Sequence, residues 1–230
     1  MTIAANLAKV MAGIAQACAA AGRDPATVRL LPVSKTHPAA VVREAVAAGC
    51  VQFGENRVQE MVAKAAELAG EPIAWVLIGH LQRNKVAAAC SVMSELQSLD
   101  SLALAAALDR HLTGVGRTLP VLVEVNTSGE ASKCGLEPDA VVGFARQLRS
   151  YAQLRPQGLM TVAHPDPARA AAGFALLAGL REQVQDLDGG GWPELSMGMS
   201  GDYAAAIAQG STCVRVGTAV FGERSGRVLT

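Results

Sequence analysis

The sequence predicts an α/β fold, a single (β/α)8 TIM barrel that spans residues 1–230 and has an extra helix at its N-terminus. Two observations favour this fold. Short runs rich in valine, leucine and isoleucine alternate eight times with alanine-rich helical stretches, which is typical of a parallel sheet covered by helices. In addition, no linker, repeat or low-complexity segment divides the chain. An open, doubly wound sheet is the alternative that the same alternation allows.

An amphipathic helix is expected before the first strand. Its apolar residues recur at helical spacing, and this predicts one packed face formed by Leu7, Met11, Ile14 and Cys18. The stretch VMAGIAQACAAAG could imitate an export signal, but Gln16 interrupts it. No segment is expected to reach the roughly 20 apolar residues of a membrane-spanning helix.

The eight strands and their connecting helices follow in order. Pro38 suits the first turn of the helix after strand one, and Gly49 suits the C-terminal cap of that helix. The longest amphipathic helix is expected over residues 166–187. The predicted strands are residues 29–34, 51–55, 73–79, 92–98, 120–126, 154–160, 194–198 and 213–217.

Composition excludes several classes of function. Lysine and arginine number 20, as do aspartate and glutamate, so the chain lacks the basic surplus expected of proteins that bind nucleic acid or anionic membranes. The 5 cysteines are widely spaced without a CxxC pair, which argues against a disulfide framework and against a zinc site. We therefore expect a cytoplasmic protein with a small-molecule ligand.

In a barrel of this kind, chemistry gathers at the C-terminal ends of the strands. Polar loops alone would also give a polar rim, and the pattern leaves that interpretation open. The residues at or just beyond the eight predicted ends are Lys35, Glu55, Asn56, His80, Gln97, Ser98, Asn126, Met160, Ser196, Ser200 and Arg215.

A lysine and an anion site are expected at this rim. Ser200, Gly217 and Thr218 follow strands seven and eight, where barrels commonly bind phosphate through backbone N–H groups. No P-loop or GxGxxG motif competes for that role. A lysine such as Lys35 at a strand end is a nucleophile when burial lowers its pKa, although a solvated rim lysine is the alternative. A phosphate site facing a lysine fits a Schiff-base aldolase or pyridoxal 5'-phosphate (PLP).

Seven motifs, taken in order, carry a family resemblance. They are VSKTHP, FGENRVQE, IGHLQRNK, VNTSGEASKCGL, GLMTV, LSMGMSGDYAAAIAQGST and VRVGTAVFG. From about residue 33 to residue 222, the chain resembles the pyridoxal phosphate homeostasis protein family, also called the YggS or PROSC family. The resemblance implies a fold-type III PLP-binding barrel, similar to the N-terminal domain of alanine racemases.

The resemblance also implies residue roles. Lys35 would hold PLP as a Schiff base, and Asn56 would lie beside the cofactor ring and its 3-hydroxyl. Ser200, Gly217 and Thr218 would bind the phosphate, and Arg215 would face the pyridine nitrogen. A guanidinium at that nitrogen discourages protonation of the ring and makes it a weaker electron sink.

The expected role is intracellular PLP homeostasis, by buffering or delivery, without efficient catalysis. Racemases with this arrangement add a second base, commonly a tyrosine, from an extra β domain, which a chain ending at Thr230 is expected to lack. The alternative is a racemase-like PLP enzyme of low activity, and an aldolase comes third. Expected partners are PLP and PLP-dependent apo-enzymes, with no nucleic acid and no membrane, for a monomer. The sequence assigns no role to Lys85, Lys133 or His80, and Val76 and Arg57 depart from the common family pattern.

Overall fold

The barrel predicted from the sequence is confirmed by a computed structural model, which describes residues 2–130 and 133–223. Eight parallel strands lie in the order β1-β8-β7-β6-β5-β4-β3-β2. A single bridge between Val33 and Gly54 joins the first and last strands of this order, β1 and β2, and closes the barrel. The strands are β1 Arg29–Pro32, β2 Gln52–Glu55, β3 Ala74–Leu77, β4 Met93–Leu99, β5 Leu119–Glu124, β6 Leu154–Met160, β7 Glu194–Ser196 and β8 Cys213–Val216.

Helices follow each strand and have identifiable end signals. The helix after β1 has Pro38 as its N-cap, and the helix after β6 begins where Asp166 Oδ1 accepts a hydrogen bond from Arg169 N at 3.0 Å. The latter ends before Gly189, whose φ of 67° is in the left-handed region. In the described part of the chain the α-helices are α1 Ile3–Ala20, α2 Ala39–Ala47, α3 Val58–Glu67, α4 Val86–Cys90, α5 Leu102–Val115, α6 Val141–Leu148, α7 Pro167–Asp188, α8 Tyr203–Ala208 and α9 Thr218–Phe221.

The barrel interior is unusually polar for a packed core. Gln97 of β4 accepts a hydrogen bond from Ser196 of β7 at 2.6 Å, although these strands are not neighbours in the sheet, so the contact crosses the lumen. Nearer the strand starts, Arg29 donates to Glu95 and Glu194, at 2.7 and 2.8 Å. The main apolar core instead lies between the outer face of the strands and the helices.

The N-terminal helix α1 packs on α8 and α9, but part of its predicted face is wrong. Met11 is 49% exposed, whereas Val10 is buried, because the buried residues follow a period of 3.6 from Ile3 onward. Gly13 allows α1 to approach α8 closely, since a Cβ at this position would lie 2.3 Å from Tyr203 Oη. The full buried set is Ile3, Leu7, Val10, Ile14 and Cys18.

Helix α1 also corrects the expectation about membrane spans. Among the described residues it is the one helix long and apolar enough, by length and composition, to cross a membrane. Its buried stripe faces the barrel, which gives its apolar residues a packing role.

Candidate functional site

Five of the six candidate site residues lie in four adjacent loops at one side of the barrel mouth, and the sixth, Arg215, lies on strand β8. Strands β7, β8, β1 and β2 are consecutive around the barrel. Their loops carry the candidates Ser200, Gly217 with Thr218, Lys35 and Asn56, respectively. The structure therefore brings all four loops to the same rim.

Backbone contacts fix the spacing between these loops. Val33 N donates to Val216 O at 2.9 Å, and Ser34 N donates to Gly54 O at 3.1 Å, so Lys35 follows a segment held on both sides. A Cβ on Gly217 would lie 3.1 Å from Val33 O, which explains why the backbone there needs a small residue. The half-buried Lys35 is thus flanked by Gly217 on one side and by the Asn56 loop on the other.

Behind the Lys35 turn lies a buried polar cluster that the sequence did not single out. Lys64 of α3 is 5% exposed and donates to Ser34 O at 2.7 Å, to Glu55 Oε1 at 2.6 Å and to Glu60 Oε1 at 2.7 Å. Glu60 Oε1 also accepts from the backbone N–H of Thr36, a residue with a φ of 67°. The cluster holds the turn from both ends, including its residue in the left-handed region.

Glu55 is completely buried in this cluster. Burial raises the pKa of its carboxyl, while the hydrogen bonds from Lys64 and from Ser34 Oγ, the latter at 2.6 Å, oppose the rise. Its Oε2 atom has no hydrogen-bond partner among the described residues. Glu55 therefore acts on the rim through Ser34 and Lys64 rather than by facing a ligand.

Arg215 lies inside the barrel below the rim. Its guanidinium donates to Ser196 Oγ and to Thr161 O, both at 2.7 Å, and its backbone N–H donates to Gly198 O at 2.9 Å. Burial lowers the pKa of Arg215, and nearby groups, Cys213 first and then Glu124, oppose the shift. An arginine nevertheless stays protonated in proteins, so the site has a fixed cation at its base.

The loop after β7, which carries the candidate Ser200, is tightly packed. Gly198 has a φ of 95°, and a Cβ there would lie 2.6 Å from Ala206 Cβ, so helix α8 packs directly against the backbone. Asp202 Oδ1 accepts from the backbone N–H of Met199 and folds the turn that presents the half-buried Ser200. Helix α9 begins at Thr218, immediately after Gly217. Two short helices thus start beside the candidate phosphate residues.

A second group of polar residues lines a pocket of about 230 Å³ next to Asn56. Glu124, at the end of β5, is 8% exposed, and burial raises the pKa of its carboxyl to about 7. His80, whose role the sequence left open, pairs through Nδ1 with Asp100 Oδ2 at 2.8 Å. Lys133 pairs with Glu130 at 2.7 Å.

Lys64 and Glu124 are the residues that sequence reasoning missed. Lys64 shares a helical face with the buried Val58 and Met61, a spacing that marks the inward side of α3. Glu124 lies inside the apolar run of strand five, two residues before Asn126 and on the same face of the strand. In both cases a charged residue occupies a position that the helix or strand periodicity assigns to the buried face, and this could have indicated a buried polar residue.

Known proteins share this architecture. Residues 5–225 match the family model described as "Alanine racemase, N-terminal domain". Alanine racemase from Corynebacterium glutamicum has a TM-score of 0.73 at 17% identity over 99% of this chain and 62% of that chain, which shows the fold alone.

Two further comparisons concern closer relatives. PipY from Synechococcus elongatus, solved with PLP bound, has a TM-score of 0.84 and 37% identity over 96% of this chain and 100% of that one. A Pseudomonas aeruginosa protein named pyridoxal phosphate homeostasis protein is 48% identical over 223 residues, 97% of this chain and 96% of its own. With that match spanning nearly all of both sequences, this chain belongs to the pyridoxal phosphate homeostasis protein family.

Proposed function

We propose that this protein binds PLP as a Schiff base on Lys35 and serves intracellular PLP homeostasis by buffering or delivering the cofactor. The observation that carries the proposal is the meeting of Lys35 with the loops of β7 and β8 at one rim. The cofactor supplies an aldehyde that condenses with a primary amine, and its phosphate requires N–H donors. Both requirements have candidate residues within the same four loops.

The residues present fit such a group. Asn56 lines the pocket beside the rim, and its buried Oδ1 has no hydrogen-bond partner among the described residues, which supports a role as acceptor for the 3-hydroxyl. Gly217, where a Cβ would lie 3.1 Å from Val33 O, comes immediately before helix α9, whose first residue Thr218 would present its backbone N–H to the phosphate. Arg215 would hold its proton and donate toward the pyridine nitrogen, while Ser196 and Thr161 orient it.

The same arrangement supports a role without efficient catalysis. A protonated Arg215 disfavours a protonated ring and so weakens electron withdrawal. Tyr203, one of the two tyrosines of the chain, lies on α8 against Gly13 of α1, where it has a packing role. The other tyrosine, Tyr151, packs against the apolar core. We therefore place a racemase-like activity second.

Location and partners belong to the proposal as well. All five cysteines are unpaired, which supports a reducing compartment and hence the cytoplasm. We propose a monomer that exchanges PLP with PLP-dependent apo-enzymes and binds neither nucleic acid nor membranes.

Loading with PLP tests the cofactor assignment. The protein should gain the visible absorption band of a protein-bound PLP Schiff base, and Lys35→Ala should lose it. Lys85→Ala is the matched control, since Lys85 lies in the short 3-10 helix that follows β3, and it should keep the band. A band of unchanged intensity in Lys35→Ala would contradict the assignment.

Thr218→Glu tests the phosphate loops separately. A carboxylate there would repel the phosphate, so PLP affinity should fall by roughly tenfold or more, while pyridoxal without phosphate should bind as before. Equal losses for the two compounds would contradict a phosphate role for this loop.

Turnover of alanine enantiomers at ordinary enzyme rates would favour the racemase alternative instead.

A further inference from the structure

Glu124 is a buried carboxyl group that the proposed cofactor site does not use. It is 8% exposed and lines the pocket of about 230 Å³ between the ends of β2, β3 and β5. Its Oε2 atom has no hydrogen-bond partner among the described residues. Since buried polar atoms are nearly always paired, an unpaired buried acceptor on a residue that lines a cavity indicates a ligand with a hydrogen-bond donor.

The cations around Glu124 are engaged elsewhere. His80, after β3, pairs with Asp100, after β4, and Lys133, in the loop after β5, pairs with Glu130. The guanidinium of Arg215, on β8, donates to Ser196 and Thr161, and Cys134 is the remaining titratable group of the pocket wall. The charge of Asp100 raises the pKa of Glu124, and the charges of Arg215 and His80 lower it, so the attraction for a cation comes from the unpaired carboxyl itself.

We propose that this pocket receives the primary ammonium group of an amino acid or of a lysine side chain, and that Glu124 binds this group and takes its proton. The inference rests on the proposed function, because Asn56 lines the same pocket and would lie beside the cofactor. The freed amine nitrogen would form a bond to the imine carbon held on Lys35. With the imine protonated before and after the exchange, the bond from that carbon to Lys35 Nζ would break and one proton would pass from the amine nitrogen to Nζ. Glu124 would then give its proton to Nζ, which leaves Lys35 as an ammonium group. No oxidant or reductant is required.

The state of Glu124 suits this role. Burial, helped by the Asp100 charge and opposed by Arg215 and His80, raises its pKa to about 7. A carboxyl with that pKa gives and takes a proton readily at neutral pH. Apolar side chains, Ile78 and Val162, line the same pocket and would contact the methylene groups of the amine.

Amine binding to the cofactor-free protein tests the inference without any turnover. The probes are glycine, which represents a free amino acid, and Nα-acetyl-lysine amide, which represents a lysine side chain. Nuclear magnetic resonance titration gives the affinity of each, and the tighter binder identifies the class of amine. The ε-trimethylated form of the second probe keeps its charge but has no N–H donor, so it should bind at least about tenfold more weakly.

Variants identify the residue that receives the amine. Glu124→Gln should weaken binding roughly tenfold or more, because glutamine has no charge and takes no proton. Glu137→Gln, the same change at an exposed position outside the pocket, should have no effect. Val162→Phe fills the pocket from its rim, where Val162 is 37% exposed, and should weaken binding even if Glu124→Gln folds poorly.

Two results would overturn the inference: unchanged amine affinity in folded Glu124→Gln, or no binding of either probe to the unchanged protein. In PLP-loaded protein, Glu124→Gln should keep its Lys35 band but release PLP to the amine roughly tenfold more slowly. Loss of the band in the unchanged protein would instead contradict the proposed function, so the two failures are distinguishable.

Discussion

Lys64 shows how a single buried residue shapes the rim. Its ammonium group contacts the carbonyl of Ser34 and the carboxylates of Glu55 and Glu60, while lying almost fully out of solvent. A buried ion pair is a modest net stabiliser, but breaking it leaves an uncompensated charge. Lys64 is thus a positioning residue for the turn that carries Lys35.

Lys64→Met should destabilise the protein by about 3–5 kcal/mol, because the buried Glu55 would lose its cationic partner and keep only the hydrogen bond from Ser34. The double variant with Glu55→Gln should recover part of this loss, since no buried carboxylate remains. Urea unfolding measures both variants. If the loss of stability in the double variant equalled the sum of the losses in Lys64→Met and Glu55→Gln alone, the broken ion pair would not be the cause of the destabilisation.

Glu124 should make stability depend on pH. Its folded pKa of about 7 lies above the value of about 4.3 for an unfolded chain, so the folded state binds the proton more tightly. The resulting stabilisation is complete below the unfolded pKa and is lost as pH rises through the folded pKa.

The stability of the unchanged protein relative to Glu124→Gln should therefore fall by about 2–3 kcal/mol between about pH 5 and about pH 8. Urea unfolding of both cofactor-free proteins at the two pH values measures this difference, and groups common to both cancel. A difference that stayed constant with pH would show that the carboxyl titrates normally.

The sequence predicts the location of candidate site residues best where they directly follow an apolar strand. Lys35 and Asn56 lie at the rim as predicted, because parallel strands bring their C-terminal ends together, whereas Arg215 lies on β8 below the rim. The cofactor roles of all three remain predictions. Lys64 was missed because a lysine in a helix usually lies on the solvated face, and only the packing of α3 on the barrel shows otherwise. Glu124 was missed because the run around it was assigned as apolar strand.

At the scale of elements, every predicted strand overlaps an observed one, but boundaries and faces differ. The first strand was expected to reach Ser34, whereas β1 ends at Pro32 and continues only as the bridge at Val33. Met11 and Val10 are adjacent, and both are apolar, so composition alone could not tell which faces α8 and α9. Such choices depend on the neighbouring elements.

Two glycines with opposite surroundings test the packing of elements. A Cβ on Gly158 of β6 would lie 1.9 Å from Glu194 O of β7, so Gly158→Ala should cost about 1–3 kcal/mol by forcing the strands apart. Gly143, in helix α6, has no atom within 4 Å of a Cβ, and Gly143→Ala should stabilise by about 0.5–1 kcal/mol. Thermal unfolding measures the Tm of both variants, and equal Tm shifts for Gly158→Ala and Gly143→Ala would contradict the contact assigned to Gly158.

At the scale of the whole molecule, closure of the barrel creates the site. The bridge between Val33 and Gly54 joins the first strand to the second, and this places the Lys35 loop between the Asn56 loop and the loops after β7 and β8. Alternating strands and helices predicted the barrel, but an open sheet fits the same alternation. The bridge between Val33 and Gly54 and the contacts across the lumen, such as Gln97 with Ser196, distinguish the two.

The central claim is that Lys35 holds PLP, and borohydride reduction tests it most directly. Reduction should fix one cofactor to the chain, and mass measurement followed by peptide mapping should place the added mass on Lys35. Added mass on another lysine, such as Lys64 or Lys133, or no added mass after loading with PLP, would contradict the account.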